Sequence, residues 1–436
     1  MISTKNFFLS LLIITFIVSC QTGIDETTIN EIVPSPQVLV KTNLRGVITD
    51  EQNQPLEGAE VKAGSDILFT DQWGYFSFDE VKLGSEGALV TIKKDGYFNG
   101  SRYFKPNLKD NFIQVKLIEQ RVAGSFSAAN GGVIDLNDGA QIIFPANIFQ
   151  KVNGDNFDGT VLINAYWLNP TLPDVGELMP TNLIGENLAK ERVVLASLGM
   201  MVAELTSNTG EILQIKEDSQ VELLFPIPAE LQATAPAVLP LWSFTEEQEI
   251  WLQEGQAALE GNYYKAKVSH FSWWNCDWPY PAVDLTGKIV AEGQGLADVK
   301  IRITLTDRPW SSTEVFTNVD GDFTTEIPAS TLLHLEVLNA CNEVVYSSEI
   351  EPYVSALDYG EIPIDNAAQQ FVDIQGQIVD CQQAPVNNGY AIIYYDDRYR
   401  IVELLPNGQL MASIILCDTT SEIRVMALYG YIATKL

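Results

Sequence analysis

The chain has 436 residues, with 57 acidic against 26 basic side chains, a formal net charge of −31 and an apolar fraction of 46%. Such a charge repels phosphate backbones and anionic headgroups, which excludes nucleic acid as a partner and electrostatics as a membrane attachment. The apolar fraction is high enough to bury real cores, and the length exceeds what a single core serves, so several folded domains are expected.

Residues 1–19 read as an export signal, with Lys5 ahead of an apolar run from Phe7 to Val18 that is too short to span a bilayer. The run closes on Ile17-Val18-Ser19-Cys20. A cysteine directly at the cut makes this a lipoprotein signal, in which the Cys20 thiol takes a diacylglyceryl group and the freed amino group is acylated. No later segment offers 18 uninterrupted apolar residues, so the lipid on Cys20 is the expected membrane anchor. Gln21, rather than an aspartate, follows the cysteine, which by analogy with other lipoproteins favours the outer membrane of a Gram-negative cell. Residues 20–40 are polar and acidic, carry Pro34 and Pro36, and read as a tether that reaches roughly 60 Å when extended.

Beyond the tether one pattern occurs three times, predicting modules at 41–119, 283–366 and 367–436. The copies open with Arg45-Gly46-Val47-Ile48-Thr49-Asp50, Thr286-Gly287-Lys288-Ile289-Val290 and Gln375-Gly376-Gln377-Ile378-Val379-Asp380. Each continues through a polar turn into a second strand. Some thirty residues after the opening glycine a second turn recurs, as Thr70-Asp71-Gln72-Trp73-Gly74-Tyr75-Phe76, Thr317-Asn318-Val319-Asp320-Gly321-Asp322-Phe323 and Pro406-Asn407-Gly408-Gln409-Leu410. The glycine suits a tight hairpin with positive φ, and the following apolar side chain returns to a core. Ile301, Ile303 and Leu305 alternate with Arg302 and Thr304, the period of a half-buried strand. These elements predict antiparallel β-sandwiches of about seven strands. The triple pattern resembles the carboxypeptidase regulatory-like family, a transthyretin-like sandwich frequent in exported bacterial proteins. The resemblance covers roughly half of the mature chain and implies no peptidase, because in that family the module is a non-catalytic companion that spaces or stabilises its neighbours. The third copy lacks the Thr-Asp of the turn and stops early, which leaves its last strand missing or supplied by a neighbour.

Residues 120–282 form a different unit. It begins Gly131-Gly132-Val133-Ile134-Asp135-Leu136-Asn137-Asp138-Gly139-Ala140 and continues Ile142-Ile143-Phe144-Pro145. This opening is similar to that of the sandwich shared by ankyrins, netrin receptors and death-domain adaptors; the stretch from Asn169 to Arg192 fits nothing in that pattern. The unit is crowded with Trp242, Trp251, Trp273, Trp274, Trp278, Tyr263, Tyr264 and Tyr280. Rings of this size fill a sandwich core and its seams; exposed on a face, they would instead stack on sugars and make a glycan-binding module.

The chemical inventory is thin. His270 and His334 fall in different units, no ligand cluster suits zinc, and neither a phosphate-binding glycine loop nor a nucleophile elbow occurs. No cofactor or metal is expected. Asp320-Gly321-Asp322 lacks the further oxygen ligands of a calcium loop and reads as a hairpin turn. Export favours oxidation of the four cysteines other than Cys20, and Cys381 with Cys417, both in the third module, are the expected disulfide; buried free thiols are the alternative. His270-Phe271-Ser272 matches a triplet at which some death-domain adaptors sharing the central sandwich break their own chain. That resemblance implies attack by Ser272 on the Phe271 carbonyl with His270 as general base, while a plain strand end is the alternative.

The sequence therefore leads to an all-β chain of tandem antiparallel sandwiches, with transthyretin-like or Ig-like modules flanking a larger central sandwich. It leads to a non-catalytic envelope lipoprotein that is structural, adhesive or protein-binding, with an envelope or extracellular protein as partner. A glycan-binding surface lipoprotein and a sandwich self-cleaving at Phe271/Ser272 are the two alternatives.

Overall fold

A computed structural model describes residues 38–229, 231–364, 370–395, 398–417 and 422–429. The export signal, the Cys20 lipidation site and most of the tether lie outside the described residues. The chain is all-β, built of tandem sandwiches, and no helix among the described residues is long and apolar enough to cross a membrane.

The repeated motifs mark the same contacts in each copy. In the first, Leu39–Asp50 pairs antiparallel with Tyr75–Gly84 and sets Gly46 opposite Phe76. In the second, Gly287 faces Phe323 across the corresponding ladder, and in the third Gly376 faces Leu410. The reason for the opening glycine is steric: a Cβ on Gly46 would lie 2.7 Å from the Phe76 ring, and one on Gly287 would lie 2.6 Å from the Phe323 ring. The aromatic side chain returning from the turn lies flat over the glycine and fills the core. The turn itself is built from a side-chain carbonyl or carboxylate that accepts two backbone N–H groups. Asp71 accepts from Trp73 and Tyr75 at 2.8 and 3.0 Å, and Asn318 accepts from Asp320 and Asp322, both at 2.9 Å. Thr70 and Thr317 each donate to one carbonyl and accept from one amide, locking this turn to the earlier one. The third copy has no such threonine and carries Leu405 where Asp71 and Asn318 stand. Its turn closes through the backbone bonds from Gly408 to Leu405 at 2.8 Å and from Leu405 to Gln409 at 3.0 Å, with the Gln409 amide donating to the Asn407 side chain at 3.1 Å.

The first two modules share a topology. One sheet places the opening strand between an antiparallel and a parallel neighbour: Leu39–Asp50 runs antiparallel to Tyr75–Gly84 and parallel to Asp110–Leu117. The facing sheet has the order Asp66–Phe69, Glu60–Ala63, Ala88–Lys93, Gly100–Phe104. The parallel pair departs from an all-antiparallel expectation. It arises because the last strand crosses from the facing sheet and returns beside the first in the same direction. The second module repeats this arrangement, with Leu357–Pro363 as the parallel strand. In the third, the described strands form a pair, Gln370–Gln377 with Gln409–Leu416, and a triplet, Arg398–Glu403, Gly389–Tyr395 and Arg424–Tyr429.

The central unit is the largest, with a core of Trp167, Phe144, Phe149, Phe225, Trp274 and aliphatic neighbours. Its final strand, Trp273–Ala291, pairs with Arg192–Ser207 and Val238–Phe244, then continues without a break as the opening strand of the second module. A second apolar cluster joins Trp242, Trp251 and Trp273 to Phe98 and Ile118 of the first module. The tryptophan-rich stretch is thus a seam between bodies as well as a core.

The disulfide pairing differs from the sequence expectation. Cys417 bonds Cys341, with Cα atoms 6.0 Å apart, and Cys381 is a free, exposed thiol. The ladder between the third module's paired strands runs from Gln377 opposite Gln409 to Gln370 opposite Leu416. Cys381 therefore lies beyond one end and Cys417 beyond the other, more than about 20 Å apart at the rise of a β-strand, whereas a disulfide needs Cα atoms within about 7 Å. Cys381 sits instead in a tight turn where Asp380 accepts from the amides of Gln382 and Ala384 at 2.8 and 2.9 Å. Shared membership of a module says nothing about which end of its strands a residue occupies. Cys276 is buried and unpaired.

Candidate functional site

The most concentrated chemistry lies where the three repeated modules meet. Arg45, on the opening strand of the first module, is buried with both of its partners. Its Nε and Nη2 donate to Asp110 at 3.2 and 2.9 Å, and its Nη1 and Nη2 donate to Asp298 at 3.0 and 2.7 Å. Asp298 belongs to the second module, in the turn before its second strand, and its φ of 58° is one that aspartate tolerates. Arg400, from the third module, donates to the same carboxylate at 3.1 Å and also to the Ser413 carbonyl at 2.8 Å. Burial works against ionisation of Asp298, but Arg45 and Arg400 outweigh it and hold the carboxyl below its ordinary range. Burial likewise opposes the Arg45 charge, and Asp298 and Asp110 overcome it. One carboxylate thereby ties together three modules that are distant in sequence.

A second network joins the central unit to its neighbours through the segment from Asn169 to Arg192, the part of the chain that no sequence pattern explained. A short helix, Val175–Leu178, presents Glu177 to Lys116 of the first module at 3.0 Å and to Lys300 of the second. Burial raises the Glu177 pKa, yet the two lysines prevail and lower it. Beside it, the buried Arg102 donates to the carbonyls of Ser101, Met179, Gly176 and Glu177 at 2.6–3.1 Å. Burial with no direct carboxylate partner pushes Arg102 down to about 10.

The third module is fastened to the first by aromatic contacts. Tyr390 donates to Asp71, Tyr75 donates to Glu403 at 2.8 Å, and Tyr399 donates to the Trp73 carbonyl at 3.0 Å. The Trp73 ring meets Tyr394 and Tyr399 edge-on at 6.0 and 6.2 Å.

The residues singled out from sequence are placed as follows. Trp242, Trp251, Trp273, Trp274 and Tyr264 are buried and present no face to a sugar. Trp278 is 38% exposed, and Arg308 covers both it and Tyr280 at 5.7 and 5.9 Å. Tyr263 is partly buried. His270 pairs with Glu254 at 3.0 Å and stacks on Trp274 at 4.8 Å. The Ser272 hydroxyl donates to the Trp273 carbonyl at 3.1 Å. Phe271 packs on Phe144 at 5.6 Å. The triplet is contiguous in the chain, but its imidazole and hydroxyl are engaged with different partners and share no hydrogen bond among the described residues. Asp320 pairs with Lys109 at 2.5 Å, within a hairpin turn. Among the described residues no group of three or more His, Cys, Asp or Glu side chains is arranged to hold a metal ion.

No protein-family model matches the chain, and no curated protein matches it. Solved structures are similar to it at low identity. The Bacillus anthracis TIE protein is 11% identical over 74% of this chain and 50% of that one, with a TM-score of 0.17. The shaft pilin spaA from Lactobacillus rhamnosus GG is 11% identical over 34% of this chain and 88% of its own, with a TM-score of 0.20. A DUF3823 family protein from Parabacteroides merdae is 13% identical over 34% of this chain and 92% of its own, with a TM-score of 0.17. The chain spans half the length of the TIE protein it matches. Similarity at this level transfers neither activity nor partner.

Proposed function

We propose that the chain is an exported, lipid-anchored envelope protein whose sandwiches act as one rigid, non-catalytic body for spacing or for holding a protein partner. The observation that carries this reading is the shared carboxylate of Asp298, bonded to Arg45 and Arg400 from two other modules. Charged groups buried at a junction are costly unless paired in one geometry, so they favour a fixed arrangement of modules over a flexible string. Arg45, Asp298 and Glu177, whose ionisation is shifted by burial and by charged partners, all serve these junctions, as a scaffold requires. The modules belong, on this reading, to the carboxypeptidase regulatory-like kind, and Cys20 carries the anchor at the end of a short tether. The glycan alternative is weakened because five of its eight rings are buried.

Fractionation and cross-linking in cells test the proposal together. The wild-type protein is expected to stay with membranes after a high-salt wash and to cross-link through sandwich surfaces to a defined envelope or extracellular protein. Cys20→Ser is expected in the soluble fraction. Retention of that variant on membranes would refute the anchor, and a wild-type protein with no protein cross-link would refute the holding role.

A further inference from the structure

Between the first module, the Val175–Leu178 helix and the second module lies a cavity of about 70 Å³, room for roughly five waters or one ligand of similar size. Its walls are largely apolar, with Phe112, Ile113, Met179, Leu183, Val315 and Phe316. Into it faces the Glu314 carboxylate, whose side chain is only 11% exposed. Among the described residues Glu314 has no hydrogen-bond donor. The nearest cation, Lys300, stands 3.9 Å away and is already engaged by Glu177 and, at 3.1 Å, by the Asn342 side-chain oxygen. Arg102 also lines the cavity, but its terminal nitrogens are taken by four backbone carbonyls. Gly176 lets the helix backbone pass close by, since a Cβ there would come within 2.8 Å of the Glu314 carboxyl group.

The Glu314 carboxylate, largely buried, receives no hydrogen bond from the protein among the described residues, and a ligand that supplies an N–H gives it a fixed donor in place of water. We propose that this cavity binds a small molecule carrying a primary ammonium group on a short apolar body, the ammonium donating to Glu314 and the body lying against Phe112, Leu183 and Phe316. An anion would meet Glu314 head-on, and a neutral alcohol would bring no positive charge to add to the distant Lys300. The chain's net charge of −31 draws cations toward such a cleft. Burial pushes the Glu314 pKa up, with Glu177 adding to the shift and Lys300, Arg302 and Arg102 opposing it; a bound ammonium would act in the same sense as those three cations. A pocket at the meeting of several bodies is a common setting for small-ligand sites. This inference stands apart from the lipid anchor.

Calorimetric titration of the full chain with n-propylammonium, n-propanol and propionate at neutral pH tests it. Propylammonium is expected to bind saturably and at least about tenfold more tightly than the other two, the worth of one charge-assisted hydrogen bond. Glu314→Gln should lose that preference, and Ser312→Phe, which fills the cavity while keeping the carboxylate, should lose binding. Equal binding of the three probes, unchanged affinity in Glu314→Gln, or no saturable binding by the folded wild-type protein would each overturn the proposal. The comparison among probes decides the matter on the wild-type protein even where a variant does not fold.

Discussion

Asp298 is the residue on which the junction turns, because it is the only acceptor that Arg45 and Arg400 share among the described residues. Replacing it with Asn keeps a side chain that tolerates its positive φ. It leaves the buried Arg45 with Asp110 as its one charged partner among the described residues, and removes the carboxylate with which the partly buried Arg400 pairs. Asp298→Asn is expected to cost about 3–5 kcal/mol, the usual penalty for removing one partner of a buried ion pair, read from urea unfolding with unchanged slope. Since the folded pKa of Asp298 is held low, its contribution is complete above the ordinary carboxylate pKa of about 3.9. It is lost as the pH falls through the depressed folded value. Asp277 behaves in the opposite sense. Burial drives its pKa well up, against hydrogen bonds from Ser197 and the Leu198 amide. The folded state then holds a proton that the unfolded state has released, so stability declines as pH rises from about 4 through the folded pKa. Asp277→Asn should flatten that decline; an unaltered pH profile would show that the carboxyl carries no such penalty. Neither role was legible in the sequence. An aspartate in a turn and an aspartate in a strand look alike until the partner, 253 positions away in the case of Arg45 and Asp298, is known.

At the scale of elements, the repeats were readable because each motif residue has a local task. Gly46 and Gly287 clear space for an aromatic ring, Gly74 and Gly321 take the positive φ of the turn, and Asp71 and Asn318 close it. The third copy loosens both features: Leu410 replaces the ring, and nothing lies within 4 Å of a Cβ built on Gly376. Gly287→Ala should therefore cost about 1–3 kcal/mol through overpacking, while Gly376→Ala should be near neutral; comparable losses at both sites would contradict the steric account. The disulfide was not readable, because sequence proximity within a module did not reveal strand ends. A non-reducing peptide map is expected to show Cys341 linked to Cys417 and Cys381 open to alkylation. This bridge spans 76 positions, and closing such a loop is worth about 4 kcal/mol in the chain-entropy picture. The Asn169–Arg192 segment fitted no sequence pattern for a related reason. Its task is to fill a junction, and a junction filler has the periodicity of neither body.

For the whole molecule, the alternating strands and turn glycines announce tandem sandwiches, yet they leave open whether these hang separately or lock together. The structure locks them: a strand shared between the central unit and the second module, a disulfide between the second and third, and buried ion pairs across the junctions. Interfaces of this kind couple the unfolding of neighbours, whereas modules on flexible linkers melt independently. The central claim is that the third module is held by the Asp298 junction as part of one body. Differential scanning calorimetry of the Cys20→Ser chain tests it most directly. A single cooperative transition is expected, with Asp298→Asn splitting off a lower-temperature transition for the third module; a separate transition for that module in the chain with Asp298 intact would contradict the account.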